Sequence, residues 1–222
     1  MRFLFHDDAG AERISLKGED FKYVVKVRRH QAGDTLALRR REPSDVLYTY
    51  RLATVDGRQA ELHLLSGEPM RVGAEKSLHL GWCVIDPKSV EKVLPQLNEM
   101  GVAKITFIAC DRSQRQFRQD FARLERILEA SMQQCGRSDW MALASASLPE
   151  FIAAHPQTMV LDFCEAVLEG TADVETILVG CEGGFSEKER QLLAGCRTAR
   201  FNTPLILRSE SAVVAAAAKI LL

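Results

Sequence analysis

The sequence lacks any apolar stretch long enough to cross a membrane. Its most apolar segment, Ser211 to Leu222, is shorter than the roughly 20 residues that a spanning helix needs. The first ten residues, MRFLFHDDAG, carry acidic side chains where a secretory signal peptide has its apolar region. We therefore expect a cytoplasmic protein.

Paired cysteine spacings and histidine clusters are also missing. The chain has 6 cysteines and 5 histidines, and the cysteines are widely spread, at Cys83, Cys110, Cys135, Cys164, Cys181 and Cys196. A zinc site needs closely spaced ligands of these types, so we expect no metal. In a reducing compartment the six side chains are expected to be buried or incidental thiols.

A strong net charge is absent, since the formal value is −1. The charge is nevertheless uneven along the chain. Residues 1–51 contain eleven Lys/Arg against eight Asp/Glu, whereas residues 138–222 contain six against eleven. A nucleic-acid partner is therefore expected to bind the first half of the chain. The 222 residues, 46% of them hydrophobic, can bury the core of one large or two small domains.

The first 70 residues show the alternation of small antiparallel strands separated by tight turns. Turn residues occur at Ala32 to Asp34 and at Asp56-Gly57, and apolar positions Phe21, Val24 and Val25 predict one short helix. We predict a small β-barrel, followed by a linker at 66–76. The expected strands lie in RFLFH, DTLALRRR, DVLYTYRLATV and QAELHLL.

From Leu78 the pattern changes to apolar strands that alternate with amphipathic helices, which predicts a mostly parallel α/β sheet. One helix is expected to begin at a Ser89 cap, contain Pro95 as a kink and end at Gly101; another runs from about Gln119 to a stop at Gly136. The strands are expected at LHLGWCVI, KITFIAC, 159–163, 176–180 and 198–201. The apolar last helix, 211–222, requires burial on most sides, most simply at a subunit interface.

The segment GCEGGFSEKE places a carboxylate between glycines at the end of a strand. Gly180, Gly183 and Gly184 permit sharp turns and close approach of a ligand to the main chain. Ser186 and Glu189 form a capping box, so a helix is expected to start directly after the loop, where its N-terminus favours anionic or polar groups. Glycine turns of this kind are usually structural, so this motif alone does not identify a ligand.

Two further strand ends carry polar side chains. Glu165 follows the strand at 159–163, and Arg208 with Glu210 stands at the start of the last helix. The latter two could form a surface ion pair, or the arginine could hold a phosphate while the glutamate completes the helix cap. Open α/β sheets bind ligands at the carboxyl ends of their strands, so the three ends together predict one shared crevice.

Several motifs, in order along almost the whole chain, make the sequence similar to the small-subunit ribosomal RNA methyltransferase E family of the SPOUT superfamily. They are VGCEGGFSEKE, LILRSESAV, VEKVLPQLNEMGVAKI, the D-R-S of residues 111–113, QCGR at 134–137 and VVKVRRHQAGD. The chain departs from the family pattern at Cys181, where proline is usual, at Ser209 and Ser211, where threonines flank the glutamate, and at Tyr23, where histidine is frequent.

The resemblance implies an α/β fold with a PUA-like, RNA-binding barrel over residues 1–70 and a SPOUT domain tied in a deep trefoil knot over 71–222. It also implies a homodimer and S-adenosylmethionine as cofactor, held by loops at 163–165, 178–184 and 205–212. The implied cofactor-binding residues are Phe163, Cys164, Glu165, Leu178, Gly180, Glu182, Gly183, Gly184, Leu205, Leu207, Arg208, Ser211 and Ala212.

The implied reaction is methylation of N3 of a uridine in 16S ribosomal RNA of the small subunit. Because this nitrogen carries a proton, a base or a cation that stabilises the uridine anion is required. Arg208 is the candidate cation, and Glu182 and Glu210 are the candidate bases. The candidate RNA contacts are Arg2, Lys26, Arg28, Arg29, Arg112 and Arg137.

Other prominent side chains are interpreted as structural or surface residues without a part in binding or catalysis. Arg39 to Arg41 are interpreted as a charged hairpin tip and Arg115 as a solvated surface charge, while Phe3, Phe5, Phe121, Met132 and Trp82 are expected in the core. Two alternatives to the enzyme remain. One is a catalytically inactive ribosome-assembly factor that keeps the RNA surface. The other, a nucleotide enzyme with GCEGG as phosphate loop, lacks the lysine of a P-loop.

Overall fold

The structure is a computed structural model and describes residues 2–114 and 116–222. The chain forms two compact units. The first comprises the residues up to Gly73 together with Met132–Asp139, and the second comprises Ala74–Ser131 and Trp140–Leu222. Helix α3 (Phe121–Cys135) begins in the second unit, and its last residues belong to the first.

The first unit contains a five-stranded mixed sheet in the order β1-β3-β4-β5-β2. Strands β1 and β3 pair in parallel and the other neighbours are antiparallel, so the predicted purely antiparallel barrel is corrected to a mixed half-barrel. Strand β5 also takes in the first residues of the predicted linker. The strands are β1 (Leu4–Phe5), β2 (Arg13–Leu16), β3 (Thr35–Arg39), β4 (Val46–Val55) and β5 (Ala60–Pro69).

The short predicted helix is present as α1 (Gly18–Phe21), which continues as a π-helical segment, Lys22–Val27. Its Phe21 and Val24 are buried in the core of the sheet, as their spacing predicted. Phe3 and Phe5 are buried too. The interpretation of Arg39 as part of an exposed hairpin tip is wrong.

Arg39 is 1% exposed, and its guanidinium lies 5.1 Å from the centre of the Phe3 ring. One of its nitrogens donates a 2.7 Å hydrogen bond to the Ser44 carbonyl oxygen. Burial lowers the pKa of this guanidinium. The neighbouring Arg40 is exposed, but it too donates a hydrogen bond, from its Nε to the Ala9 carbonyl oxygen.

The second unit contains a six-stranded parallel sheet in the order β11-β9-β10-β6-β7-β8, with helices between the strands. This is the predicted α/β class. The strands are β6 (His79–Cys83), β7 (Lys104–Ala109), β8 (Ala142–Ser147), β9 (Met159–Leu161), β10 (Thr176–Val179) and β11 (Arg197–Ala199). The helices are α2 (Pro87–Met100), α3, α4 (Leu148–Ala154), α5 (Glu187–Leu193) and α6 (Ser209–Leu221).

The predicted helix ends are confirmed and one predicted start is wrong. Gly101 and Gly136 follow α2 and α3 with φ of 95° and 97°, the left-handed region that glycine tolerates. Helix α2 begins at Pro87 rather than at a Ser89 cap, because proline fits the first helical turn, where no backbone N–H bond is lost. Pro95 lies inside the helix as expected.

The expectation that all six cysteines are thiols is also corrected. Cys83 and Cys110 are joined by a disulfide, with their Cα atoms 5.9 Å apart. Cys83 ends β6 and Cys110 directly follows β7, and these two strands are neighbours in the sheet. Cys135, Cys164, Cys181 and Cys196 are free.

Helix α6 buries its apolar side within its own unit. Ala212, Val213, Ala216, Ala217 and Ile220 are buried, and the helix packs on α2 and β10. A subunit interface is therefore not needed to explain most of its apolar character, and the homodimer stays a prediction. None of the helices in the described part of the chain is long and apolar enough to traverse a bilayer.

Candidate active site

The site is built on the carboxyl ends of β9 and β10, which are parallel neighbours. Leu178 pairs with Val160 and Val179 with Leu161, so the segments that follow the two strands leave the sheet at the same edge. In open α/β sheets this edge is where ligands bind.

The loop after β10 is held by short-range hydrogen bonds. The Gly184 N–H donates to the Cys181 carbonyl oxygen at 2.9 Å, and Gly184 has a φ of 64°, which favours glycine. Helix α5 then begins with the predicted capping box, in which Ser186 and Glu189 satisfy each other's backbone N–H groups. Cys181 is buried, and burial raises the pKa of its thiol.

The start of α6 is tied to this loop through Ser209. Its hydroxyl accepts a 2.9 Å hydrogen bond from the Trp82 indole N–H and donates a 2.6 Å bond to the Gly180 carbonyl oxygen. Trp82 is fully buried, as predicted, and Ser209 is 4% exposed. The hydroxyl therefore joins β6, the loop after β10 and α6 at one buried point.

The three predicted loop segments meet at a single cleft that is open to solvent. All of its lining residues belong to the second unit. Seven of the predicted cofactor-binding residues line this cleft. They are Phe163, Gly180, Glu182, Gly184, Leu205, Leu207 and Ala212.

Six of the predicted cofactor-binding residues do not line the cleft. Leu178 lies within β10, and its side chain is fully buried in the hydrophobic core. The Gly183 backbone faces Arg112, whose Cβ would lie 3.1 Å from a Cβ at this glycine. The others outside the lining are Cys164, Glu165, Arg208 and Ser211.

Two charged residues at the cleft were not predicted from the sequence. Asp162 lines the cleft and receives a 3.0 Å hydrogen bond from Arg190 on α5, and Arg200 follows β11. Asp162 immediately precedes Phe163, which was predicted to bind the cofactor. Its position at the end of a strand could therefore have identified it as a residue of the site. Arg200 follows the short strand β11, where no sequence motif indicated a ligand-binding residue.

Apolar side chains around the cleft are unusually exposed. Phe163 is 71% exposed, Leu205 73% and Ile206 78%. Together with Glu182, Arg200 and the Asp162 carboxylate that is paired with Arg190, they make a site that could bind a ligand with both apolar and charged parts.

The candidate catalytic residues are only partly brought together. Glu182 is exposed and lines the cleft. Arg208 is the residue before the first turn of α6, with 82% of its side chain exposed, and one of its nitrogens lies 4.0 Å from Glu210 Oε1. The weak ion pair anticipated for these two residues is thus present. Glu210 Oε2 is buried and accepts no hydrogen bond from the described residues.

The D-R-S segment contacts the glycine loop directly. The Asp111 backbone N–H donates to Glu189 at 2.7 Å, and its carboxylate accepts a 2.6 Å bond from the Ser186 hydroxyl. Arg112 donates a 2.6 Å bond to the Gly183 carbonyl oxygen. Arg112 is therefore both exposed and fixed beside the cleft.

Among the predicted RNA contacts in the first unit, Arg2, Lys26, Arg28 and Arg29 are exposed. Arg28 donates a 2.8 Å hydrogen bond to the hydroxyl of Tyr23, the residue that stands where the family frequently has histidine. Arg29 has a φ of 62°, which is uncommon for a residue with a side chain.

Arg137 differs from the other predicted RNA contacts, because it is 4% exposed and forms a 3.0 Å ion pair with Asp139. Its guanidinium is committed inside the protein, and we no longer place it at an RNA surface. Arg115 lies outside the described residues.

Comparison with known proteins identifies the family. A model described as an RNA methyltransferase domain matches residues 73–221. A ribosomal RNA small subunit methyltransferase E from Helicobacter pylori strain J99 is 38% identical over 219 residues, which cover 96% of both chains. The chain belongs to the ribosomal RNA small subunit methyltransferase E family.

Other members and solved structures agree with this assignment. A family member from Aquifex aeolicus strain VF5 is 31% identical over 144 residues, covering 59% of this chain and 61% of that one. The Neisseria gonorrhoeae member, solved with bound S-adenosyl methionine, has a TM-score of 0.78 at 19% identity and covers 99% of this chain and 96% of that one. A Legionella pneumophila protein, solved with the bound cofactor SAM, has a TM-score of 0.80 at 21% identity and covers 98% and 95%. These likenesses confirm the predicted α/β fold.

Proposed function

We propose that this protein uses S-adenosylmethionine to methylate N3 of a uridine in 16S ribosomal RNA of the small ribosomal subunit. The observation that carries the proposal is the convergence of three separate segments, at 161–163, 179–185 and 200–212, on one cleft at the carboxyl edge of the parallel sheet. Membership of the methyltransferase E family supports the choice of substrate.

The residues of the cleft fit the proposed cofactor. A Cβ at Gly180 would stand 3.4 Å from both the Gly184 Cα and the Phe185 ring, so the loop is closely packed here, and Gly180 and Gly184 line the cleft without side chains that would fill it. The exposed Leu205 and Phe163 would cover the flat, apolar parts of the adenosine. The carboxylates of Asp162 and Glu182 would suit its positively charged groups.

When bound, S-adenosylmethionine supplies the methyl group. The residues of this chain must place the uridine N3 in line with the transferring methyl group, and this positioning provides much of the acceleration. Since a paired N3 is inaccessible, the target uridine has to be unpaired or turned out of its helix.

We assign the loss of the N3 proton to two exposed groups, Glu182 in the cleft and Arg208 outside its lining at the start of α6. Glu182 accepts the proton, because it is the one candidate base that lines the cleft. Arg208 stabilises the uridine anion from the start of α6, where 82% of its side chain is exposed and can face an RNA substrate. Glu210 positions Arg208 through the 4.0 Å contact and does not act as the base.

The proposal extends to assembly and location. We propose a cytoplasmic homodimer in which the second unit is a trefoil knot and the first holds RNA through Arg2, Lys26, Arg28 and Arg29. The exposed Leu205 and Ile206 beside the cleft, and Leu222 at the end of the chain, are apolar surface that a second copy could cover.

The test is mass spectrometry of 16S ribosomal RNA from cells that lack the protein. We expect one N3-methyluridine to disappear and to return when the wild-type gene, but not a Glu182→Gln variant, is restored. An unchanged set of methylated uridines in the deletion strain would contradict the proposal.

A further inference from the structure

A second cleft lies in the same unit at the carboxyl ends of β6, β7 and β8. Its walls include Ser145 and Ser147 from β8, Phe107 from β7 and the segment between β7 and α3, in particular Phe117 and Gln119. None of the catalytic residues assigned above line this cleft, and the D-R-S motif contributes only Ser113 to it.

The two clefts share a wall. Cys110 and Ser113 line the second cleft, whereas Asp111 and Arg112 between them hydrogen-bond to Ser186, Glu189 and Gly183 of the loop that borders the first. Both clefts open at the same edge of one parallel sheet. A polymer that enters the first cleft can therefore also reach the second.

The two clefts differ in charge. The first contains charges of both signs, namely the carboxylate of Glu182, the carboxylate of Asp162 that is paired with Arg190, and Arg200. Among the described residues that line the second, Arg118 carries the only charge and no carboxylate is present. An anionic group therefore meets no carboxylate in the second cleft, whereas Asp162 and Glu182 both line the first.

The neutral side chains of the second cleft match a nucleobase. Ser113, Ser145 and Gln119 offer hydrogen-bond donors and acceptors, and Phe117 is a partly exposed aromatic ring on which a base can stack. Gln119 donates its amide N–H to the Ile85 carbonyl at 3.3 Å, while its Oε1 is buried and bonded to none of the described residues. An N–H group on the edge of a base would satisfy this oxygen.

We propose that the second cleft binds an unpaired base of the RNA close to the methylated uridine, with a neighbouring phosphate at Arg118. This inference rests on the proposed function. It assigns recognition of flanking sequence to the second unit itself, in addition to the RNA contacts proposed for the first.

The test fills the cleft without touching the cofactor site. Ser145 is exposed on the edge strand β8, so Ser145→Trp can occupy the cleft, and Ala142→Trp, exposed at the other end of the same strand, is its matched control. Anisotropy with a fluorescent single-stranded 16S fragment that contains the target uridine measures RNA affinity. Calorimetry measures S-adenosylmethionine affinity, and steady-state kinetics separates KM for RNA from kcat.

We expect Ser145→Trp to weaken RNA binding about tenfold or more and to raise KM, with cofactor affinity within about twofold of wild type and no effect of Ala142→Trp. Arg118→Ala should weaken binding and lower the salt slope by about one, whereas Arg126→Ala, on the exposed face of α3, should do neither. Gln119→Leu should reduce discrimination between fragments that differ at one flanking base.

Unchanged RNA affinity and KM in both Ser145→Trp and Arg118→Ala would overturn the inference. If Ser145→Trp fails to fold, as judged by its thermal midpoint, Arg118→Ala and Gln119→Leu decide the matter. A wild-type protein that binds the fragment but transfers no methyl group would contradict the proposed function. The anisotropy measurements on the variants would still show whether the second cleft binds RNA.

Discussion

The Ser209 hydroxyl lies 2.6 Å from the Gly180 carbonyl oxygen and 2.9 Å from the Trp82 indole nitrogen. It joins two of the walls of the cofactor cleft, the loop after β10 and the first turn of α6, to the buried strand β6. The cleft thus depends on the hydroxyl of an almost fully buried residue, since Ser209 is 4% exposed. The family's usual threonine at this position would supply the same hydroxyl.

We expect Ser209→Ala to destabilise the protein by about 2–4 kcal/mol, because a buried N–H and a buried carbonyl oxygen both lose their partner. Urea unfolding followed by tryptophan fluorescence measures the change. Cofactor affinity should fall as well, since the loop and α6 are no longer joined. Ser211→Ala, two residues further along the same helix and exposed, is the control and should change neither quantity.

The Gly183→Arg variant tests the contact between the glycine loop and the D-R-S segment. A side chain at this position would meet Arg112 at 3.1 Å, so the loop or Arg112 must move and the Arg112–Gly183 hydrogen bond is lost. We expect cofactor binding to be abolished in a folded protein. Gly195→Arg, where a Cβ meets nothing within 4 Å, should bind normally. Normal affinity in Gly183→Arg would show that this loop does not shape the cofactor cleft.

Arg208→Ala should lower turnover far more than cofactor affinity. The guanidinium is 82% exposed and does not line the cleft, so removing it should leave the cofactor contacts intact. Loss of one charge-stabilising donor typically lowers kcat by about 10²-fold. Lys219→Ala removes an exposed cation near the other end of α6 and should have no effect. Equal losses in turnover and affinity would move Arg208 from the reaction to cofactor binding.

Stability should depend on pH through His79. Its ring hydrogen-bonds to Thr106 at 2.8 Å and lies 4.5 Å from the His155 ring. Burial first, and then the nearby His155 and Lys104, lower the pKa of His79 from 6.5 to about 4. The unfolded chain therefore takes up this proton at a higher pH than the folded protein does.

It follows that the contribution of His79 to stability is fully present above pH 6.5 and is lost as the pH falls from 6.5 towards 4. The urea midpoint of wild type should decrease across this interval. His79→Gln, which keeps a hydrogen-bonding group beside Thr106, should show a flatter profile. Identical slopes in the two proteins would rule out His79 as the titrating group.

Local sequence patterns were sufficient for the features that depend on neighbouring residues. The Ser186–Glu189 capping box and the glycines after α2 and α3 were predicted because the residues that satisfy a helix end lie within a few positions of it. The alternation of apolar strands and helices likewise predicted the parallel sheet. Strand β8 and helix α4 were missed, since ALASAS has small side chains and little apolar contrast.

Features that depend on distant pairs could not be predicted in the same way. The Trp82–Ser209 bond joins residues 127 positions apart, and the Cys83–Cys110 disulfide joins neighbouring strands whose pairing the spacing of cysteines does not reveal. Arginine is usually found at the protein surface, so the sequence did not indicate that Arg39 and Arg137 are buried. Only the fold supplies the partners that permit their burial. The cofactor loops were located through motifs, whereas the side chains that face the cleft required the structure.

Calorimetric titration of S-adenosylmethionine into the wild-type protein and the Gly180→Val variant tests the central claim most directly. A valine at this position would press its methyl groups against Gly184 and Phe185, which a Cβ alone already approaches to 3.4 Å. We predict saturable binding at one site per chain in wild type and a loss of about tenfold or more in the folded variant. Absence of binding in wild type, with RNA binding intact, would contradict the account and favour an inactive assembly factor.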